Sequence, residues 1–166
     1  MSRFVIMGVA GSGKSTVGRA ISERCGIAFI DGDDLHTTEN IRKMSSGIPL
    51  NDADRAPWLI QVGKALSGAQ GPVAVACSAL QRSYRDIIRA HAPQPVHFLH
   101  LAADREVLSD RMKNRDGHFM PASLIDSQFA ALQPLEAEEQ GIVIDVAGPL
   151  DTVIDQAACY ISQSLA

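Results

Sequence analysis

The string Gly8-Val9-Ala10-Gly11-Ser12-Gly13-Lys14-Ser15 constrains this chain more than any other feature. It fits G-x-x-x-x-G-K-[ST], and it stands between an apolar run, Arg3–Met7, and a stretch of helical spacing over residues 15–25 that Gly26 closes. Strand, glycine-rich turn and helix, in that order, make a phosphate cradle. Gly8, Gly11 and Gly13 permit backbone angles closed to other residues, so successive N–H groups can turn inward around an anion. The dipole of the following helix adds to that attraction. Lys14 is placed to reach the β- and γ-phosphates of a nucleoside triphosphate, and the Ser15 hydroxyl to bind Mg2+. The loop specifies a triphosphate, not a reaction. A GTPase would need a base-reading N-K-x-D segment, and the chain has none.

The rest of the sequence alternates short apolar runs with longer amphipathic ones. Strands are expected at Arg3–Met7, 28–30, Val73–Ala76, 96–101 and 142–146. Helices are expected at 15–25, Thr38–Ser45, 54–66 (with Pro57 in its first turn), 81–91, 104–115, 121–132 and Leu150–Leu165. Five apolar strands separated by helices predict an α/β fold: a parallel sheet between two helical layers. A length of 166 residues fits one domain, and no repeat or low-complexity segment divides it. The formal charge of −4 excludes a broadly basic nucleic-acid face. No apolar segment reaches the length of a membrane span. Cys25, Cys77 and Cys159 are too scattered for a disulfide framework or a zinc site, and they fit a reducing cytoplasm.

Asp31-Gly32-Asp33-Asp34 follows the second strand, at the sheet end where such folds place ligands. Phosphoryl transfer needs an acceptor hydroxyl held in line and a carboxylate to take its proton. Asp33 is the candidate for that carboxylate, and Asp31 for a water-mediated Mg2+ contact. The competing role for these acids is helix capping, which is the reading adopted for Asp34. Arg55, Arg82 and Arg85 lie near the same edge and suit a carboxylate or phosphate, unless they pair locally with Asp54 and Asp86. Arg111, Arg115 and His118 bracket Asp116-Gly117, a composition that fits a segment closing over the triphosphate. The alternative there is a helix end decorated with favourable cations. His36 is placed to meet a hydroxyl. His91, His97 and His100 read as structural or surface residues, and Trp58 as packing.

Longer strings carry a resemblance. D-G-D-D-L-H at 31–36, E-N-I-R-K-M-S-S-G-I-P-L-N-D-A-D-R-A-P-W-L at 39–59, C-S-A-L-Q-R-S-Y-R-D at 77–86 and G-H-F-M-P-A-S-L-I-D-S-Q-F-A-A-L-Q-P-L at 117–135 are idiosyncratic. With the phosphate loop they span nearly the whole chain, which resembles the bacterial gluconate kinases, within the shikimate-kinase and nucleoside-monophosphate-kinase-like group. The resemblance implies ATP-dependent phosphorylation of D-gluconate at its 6-hydroxyl, in a cytoplasmic homodimer with a mobile lid at about 115–121. It implies that Gly11, Ser12, Gly13, Lys14, Ser15 and Thr16 hold phosphates, and that Asp31 and Asp33 flank the transferring group. Arg111 would pack on adenine, opposite Pro149, and Arg115 would act from the lid. Asp33, His36, Asn40, Arg55, Ser78, Arg82, Arg85 and His118 would supply the acceptor site. Thr37 replaces the family's usual proline, and 135–139 lacks a frequent Pro-Gly.

Related kinases fit less well. Adenylylsulfate kinase shares D-G-D but should differ after the third strand. Shikimate kinase should show glycines where Ser78-Ala79-Leu80 stands. Nucleoside-monophosphate kinases usually lack the D-G-D-x-L-H string. A non-catalytic nucleotide-binding regulator has no need of an acceptor carboxylate opposite Lys14.

Overall fold

Period-two alternation sorts the sheet's side chains into two cores. Along β1 (Arg3–Met7), Phe4 and Ile6 face one side, where they join Ile21, Leu99, Leu101, Ala157 and Ile161. Val5 and Met7 face the other, with Leu59, Leu66, Val75, Ile88 and Phe98. Both faces are covered, so β1 and β3 (Val73–Ala76) are buried at every residue and, apart from Arg3 at the start of β1, are apolar throughout. The remaining strands are β2 (Ala28–Asp31), β4 (Val96–Ala102) and β5 (Gly141–Asp145). The order is β2-β3-β1-β4-β5, parallel throughout. The edge strands β2 and β5 are only partly covered.

The structure, a computed structural model, describes residues 2–113 and 122–165. The helices are α1 (Lys14–Cys25), α2 (Thr38–Ser45), α3 (Asp52–Gly68), α4 (Arg82–Ala90), α5 (Arg105–Lys113), α6 (Ala122–Ala131) and α7 (Leu150–Leu165), with a 3₁₀ turn at Gly32–Leu35. The first core carries residues of α1 and α7, the second residues of α3 and α4, which gives the expected three-layer α/β/α arrangement. The helix after β1 covers one face of the sheet and the helix after β3 the other, so the connections switch sides between β1 and β3, and folds of this kind place ligands in the crevice at the carboxyl ends of the strands there.

Several boundaries differ from the sequence expectations for identifiable reasons. α3 starts two residues early because Asn51 and Asp54 form a capping box: Asp54 N–H donates to Asn51 Oδ1 (2.8 Å) and Asn51 N–H to Asp54 Oδ2 (3.0 Å). Pro57 therefore sits in the second turn rather than the first, where its missing N–H leaves the Ala53 carbonyl without its helical donor. α1 starts at Lys14, with Gly13 as its cap in the left-handed region. β5 is shifted one residue back, to Gly141–Asp145. Residues 115–121, expected to form a lid and to include Arg115 and His118, lie outside the described residues, as does the expected start of α6 at 121.

Candidate active site

The phosphate loop is held by close backbone contacts. A Cβ on Gly8 would come within 2.7 Å of the Leu101 carbonyl oxygen and 2.8 Å of Ser12 Oγ, and its φ of +149° is costly for a side chain. Gly8 N–H donates to the Ser78 carbonyl (3.2 Å), tying the loop to the end of β3. Lys14 Nζ folds over the loop, donating to the carbonyls of Gly8 (3.0 Å) and Val9 (3.1 Å). Burial pushes its pKa down, against the opposing pull of Asp33, the Cys77 sulfur and Asp31. Ser12 Oγ is buried and has no hydrogen-bond partner among the described residues. A buried hydroxyl is costly without a partner, and an anion in the loop would supply one.

Asp31 joins the loop to the acidic turn. Its Oδ2 accepts from Ser15 Oγ (3.1 Å), and its Oδ1 accepts from Asp33 N–H (3.0 Å). The carboxylate therefore caps the 3₁₀ turn while facing the phosphate-loop serine. This corrects the expectation that gave the cap to Asp34; α2 is capped by Thr37, whose Oγ1 accepts from Asn40 N–H (3.1 Å). Asp33 is exposed at the turn. Gly32 must lack a side chain, because a Cβ there would lie 2.1 Å from the Ala76 carbonyl oxygen. Trp58 Nε1 donates to the Gly32 carbonyl (2.8 Å), and its ring stacks on His36 at 4.1 Å. Asn40 is buried, and its amide donates to His36 Nδ1 (3.3 Å) and to the Asp54 carbonyl (2.9 Å). Burial lowers the His36 pKa, with Asp33 pulling the other way. His36 is thus neutral at pH 7, with its ring proton on Nε2.

The arginines divide. Arg55 remains partly open, its Nη1 donating to Asp52 Oδ1 and to Tyr84 OH (both 3.2 Å), while Tyr84 OH donates to the same Asp52 oxygen (2.7 Å). Arg85 does not face the crevice. It is fully buried, donating to both oxygens of Glu139 (2.7 and 3.0 Å), the Ala79 carbonyl (2.8 Å) and the Pro134 carbonyl (3.3 Å). Arg82 binds Asp86 (3.1 Å), Glu138 (2.7 Å) and Glu136, and the Glu138 and Asp86 hydrogen bonds raise its pKa further. The expectation that these two receive a substrate anion gives way to a clamp between α4 and residues 134–139. Arg89, not singled out in the sequence, completes it through Asp86 and Glu139.

On the other side of the loop lies a cavity of about 380 Å³, lined by Gly11, Ser12, Gly13 and Thr16 and, opposite, by Arg111 and Val146. Arg111 donates to the Val146 carbonyl. Pro149 is not in the wall, although its neighbours Gly148 and Leu150 are. Ser78 sits at the end of β3 beside Ala79, which adopts a φ of +45°. Among the described residues no group of three or more His, Cys, Asp or Glu could hold a metal. The Ser15–Asp31 pair instead offers oxygen ligands of the kind Mg2+ takes together with phosphates and water. Sequence reasoning also missed Gln128, which accepts from Ala10 N–H (2.6 Å), and Gln133, which accepts from Arg82 N–H (2.7 Å).

A family model described as an AAA domain matches residues 4–135. The thermosensitive gluconokinase of Escherichia coli (strain K12) is 46% identical over 157 residues, covering 92% of this chain and 83% of that protein. The gluconokinase of Gluconobacter oxydans (strain 621H) is 42% identical over 157 residues, covering 92% and 87%. A crystal structure of a gluconokinase from Sinorhizobium meliloti 1021 superposes with a TM-score of 0.90 at 49% identity, covering 98% of this chain and 92% of that one. A shikimate kinase from Aquifex aeolicus vf5, at 16% identity and a TM-score of 0.63, shares the fold.

Proposed function

The chain belongs to the gluconokinase family, and from that premise we propose that it transfers the γ-phosphoryl group of ATP to the 6-hydroxyl of D-gluconate, giving 6-phospho-D-gluconate and ADP. The observation that carries this reading is the 3.1 Å bond between Ser15 of the phosphate loop and Asp31 of the acidic turn. It joins the donor site to the acidic turn that carries Asp33 and, three residues on, His36, the groups read here as the acceptor side. A protein that only bound nucleotide would have no use for the second half.

The backbone amides of residues 11–16, with Lys14 and the unpaired Ser12 hydroxyl, hold the phosphates. Arg111 lies in the wall of the 380 Å³ cavity, where adenine would pack against it and near Pro149. Ser15, and Asp31 through water, would hold Mg2+, which when bound neutralises charge on the β- and γ-phosphates. Asp33 orients the 6-hydroxyl and takes its proton as the oxygen attacks phosphorus and the bond to the β-phosphate oxygen breaks. Lys14 stabilises the charge that shifts onto the leaving phosphate. His36 donates from Nε2 to an acceptor hydroxyl, and Asn40 fixes that tautomer from behind. Arg55, oriented by Asp52 and Tyr84, is the receptor for the gluconate carboxylate, with Ser78 at the same edge. Arg115 and His118, which lie outside the described residues, are given roles at the triphosphate and acceptor by family resemblance alone. The reading extends to one catalytic domain over 1–166 acting as a cytoplasmic homodimer, which family resemblance supports. No helix among the described residues is long and apolar enough to cross a membrane.

A coupled ATP-consumption assay compares D-gluconate with shikimate, adenylylsulfate, AMP and glycerate. Turnover with gluconate above the hydrolysis background is expected. Its absence, or preference for another acceptor, sinks the assignment.

A further inference from the structure

We propose that Gln128 and Gln133 are positioning residues that hold the donor loop and the acceptor loop in register. Gln128 lies on α6, far from the phosphate loop in sequence, yet its Oε1 accepts the Ala10 N–H at 2.6 Å. Ala10 sits at the crest of that loop, where a displacement moves every amide that follows. Two residues past the end of the same helix, Gln133 grips the loop after β3 twice. Its Oε1 accepts the Arg82 N–H (2.7 Å) and its own N–H donates to the Leu80 carbonyl (2.7 Å). That loop carries Ser78 and the left-handed Ala79.

The stretch between the two glutamines is stiff. Leu132 N–H donates to the Gln128 carbonyl (3.0 Å), and the Leu132 side chain packs against both cores. One short rod thus ends in two amide oxygens, one on each loop. In-line transfer is sensitive to such spacing, since a misplacement of about 1 Å can cost about 10²-fold in rate. A side chain that merely filled space would not need an acceptor oxygen at both contacts. Nucleotide binding alone would need neither the second contact nor its stiff connection to the first. The inference rests on the phosphotransferase reading for its kinetic consequence, but not for the loop contact itself.

The test uses the full chain with Gln128→Met and Gln133→Met, which keep length and volume but lose the acceptor oxygen. Hydrogen exchange of the peptide containing Ala10 should quicken in Gln128→Met. With ATP and gluconate, kcat should fall about tenfold or more in each variant, within the range that misplacement produces. KM for gluconate should stay within about twofold in both variants, and ATP hydrolysis without gluconate should match the parent chain in Gln133→Met, whose contacts lie on the acceptor loop alone. Unchanged Ala10 exchange in Gln128→Met, unchanged kcat in either variant, or a loss in Gln133→Met shared equally by gluconate transfer and background hydrolysis overturns the proposal. If the parent chain itself does not phosphorylate gluconate, the acceptor assignment fails, while the exchange measurement still decides whether Gln128 braces the loop.

Discussion

Replacing Glu139 by glutamine should destabilise the protein far more than an ordinary surface substitution. The Glu139 side chain is 1% exposed, and both its oxygens accept from the fully buried Arg85. It also accepts from Arg89 and from Glu136 N–H (2.8 Å). Burial alone would raise its pKa; the hydrogen bonds from Arg85, the Glu136 amide and Arg89 outweigh burial and bring it from 4.5 to about 2. That drop corresponds to roughly 3 kcal/mol of stability. Glutamine turns one acceptor oxygen into a donor facing a guanidinium, and it leaves the Arg85 charge buried without its counter-ion. Breaking a buried pair in this way costs about 3–5 kcal/mol, so the two routes agree. Urea unfolding followed by circular dichroism should show a lower midpoint at an unchanged slope. In the parent chain this contribution is fully present above about pH 5 and is lost as pH falls towards 2, because the folded-state pKa lies below the unfolded one. The variant should lack that part of the acid dependence. A loss of less than about 1 kcal/mol, the size of an exposed ion pair, would refute the clamp.

Lys14→Ala should lower kcat by about 10² or more, since it removes charge stabilisation of the transferring group; retained activity would take Lys14 out of the mechanism. Asp33→Asn should depress turnover much more than ATP binding, and a result dominated by weaker ATP affinity would reassign Asp33 to nucleotide or metal. Gly32→Ala places a methyl 2.1 Å from the Ala76 carbonyl oxygen, so the acidic turn must move, and transfer to gluconate should fall more than ATP binding measured by titration. Cys77 is buried, which pushes its thiol up to about 12, so at pH 8 a thiol reagent should label exposed Cys159 and spare Cys77 until the chain unfolds.

The phosphate loop and the sheet were readable because their causes are local. Eight consecutive residues hold the phosphate-binding pattern, and strands buried on both faces read as predominantly apolar runs. The acidic turn was readable as a cluster but not in its division of labour. Asp31 and Asp34 are equally plausible caps on composition, and the choice follows from which carboxylate meets Asp33 N–H. For Arg82 the local partner offered by the sequence, Asp86, is present, but the glutamates that also hold Arg82 and Arg85 are some fifty residues away. The signal existed: Arg82, Arg85 and Arg89 share one helical face, and Glu136, Glu138 and Glu139 form an acidic run without an obvious local cation. Gln128 and Gln133 lie within the 117–135 string that carries the resemblance, but that string assigns them no contact, since a glutamine reads as solvated surface until its partner is known. The start of α3 was legible in Asn51 and Asp54 but was masked by Pro57, which draws a helix start towards itself.

The stack of Trp58 on His36 has an optical consequence. Trp58 is the chain's single tryptophan, so all indole emission originates beside the acceptor crevice. Its N–H is fixed to Gly32, the residue between Asp31 and Asp33, and its ring lies 4.1 Å from an imidazole whose charge would quench it. Acidification that protonates His36, or an acceptor that draws His36 away from the indole, should each alter the brightness of this one fluorophore. Occupancy of the acceptor side can then be followed by light alone, without label, coupling enzyme or turnover.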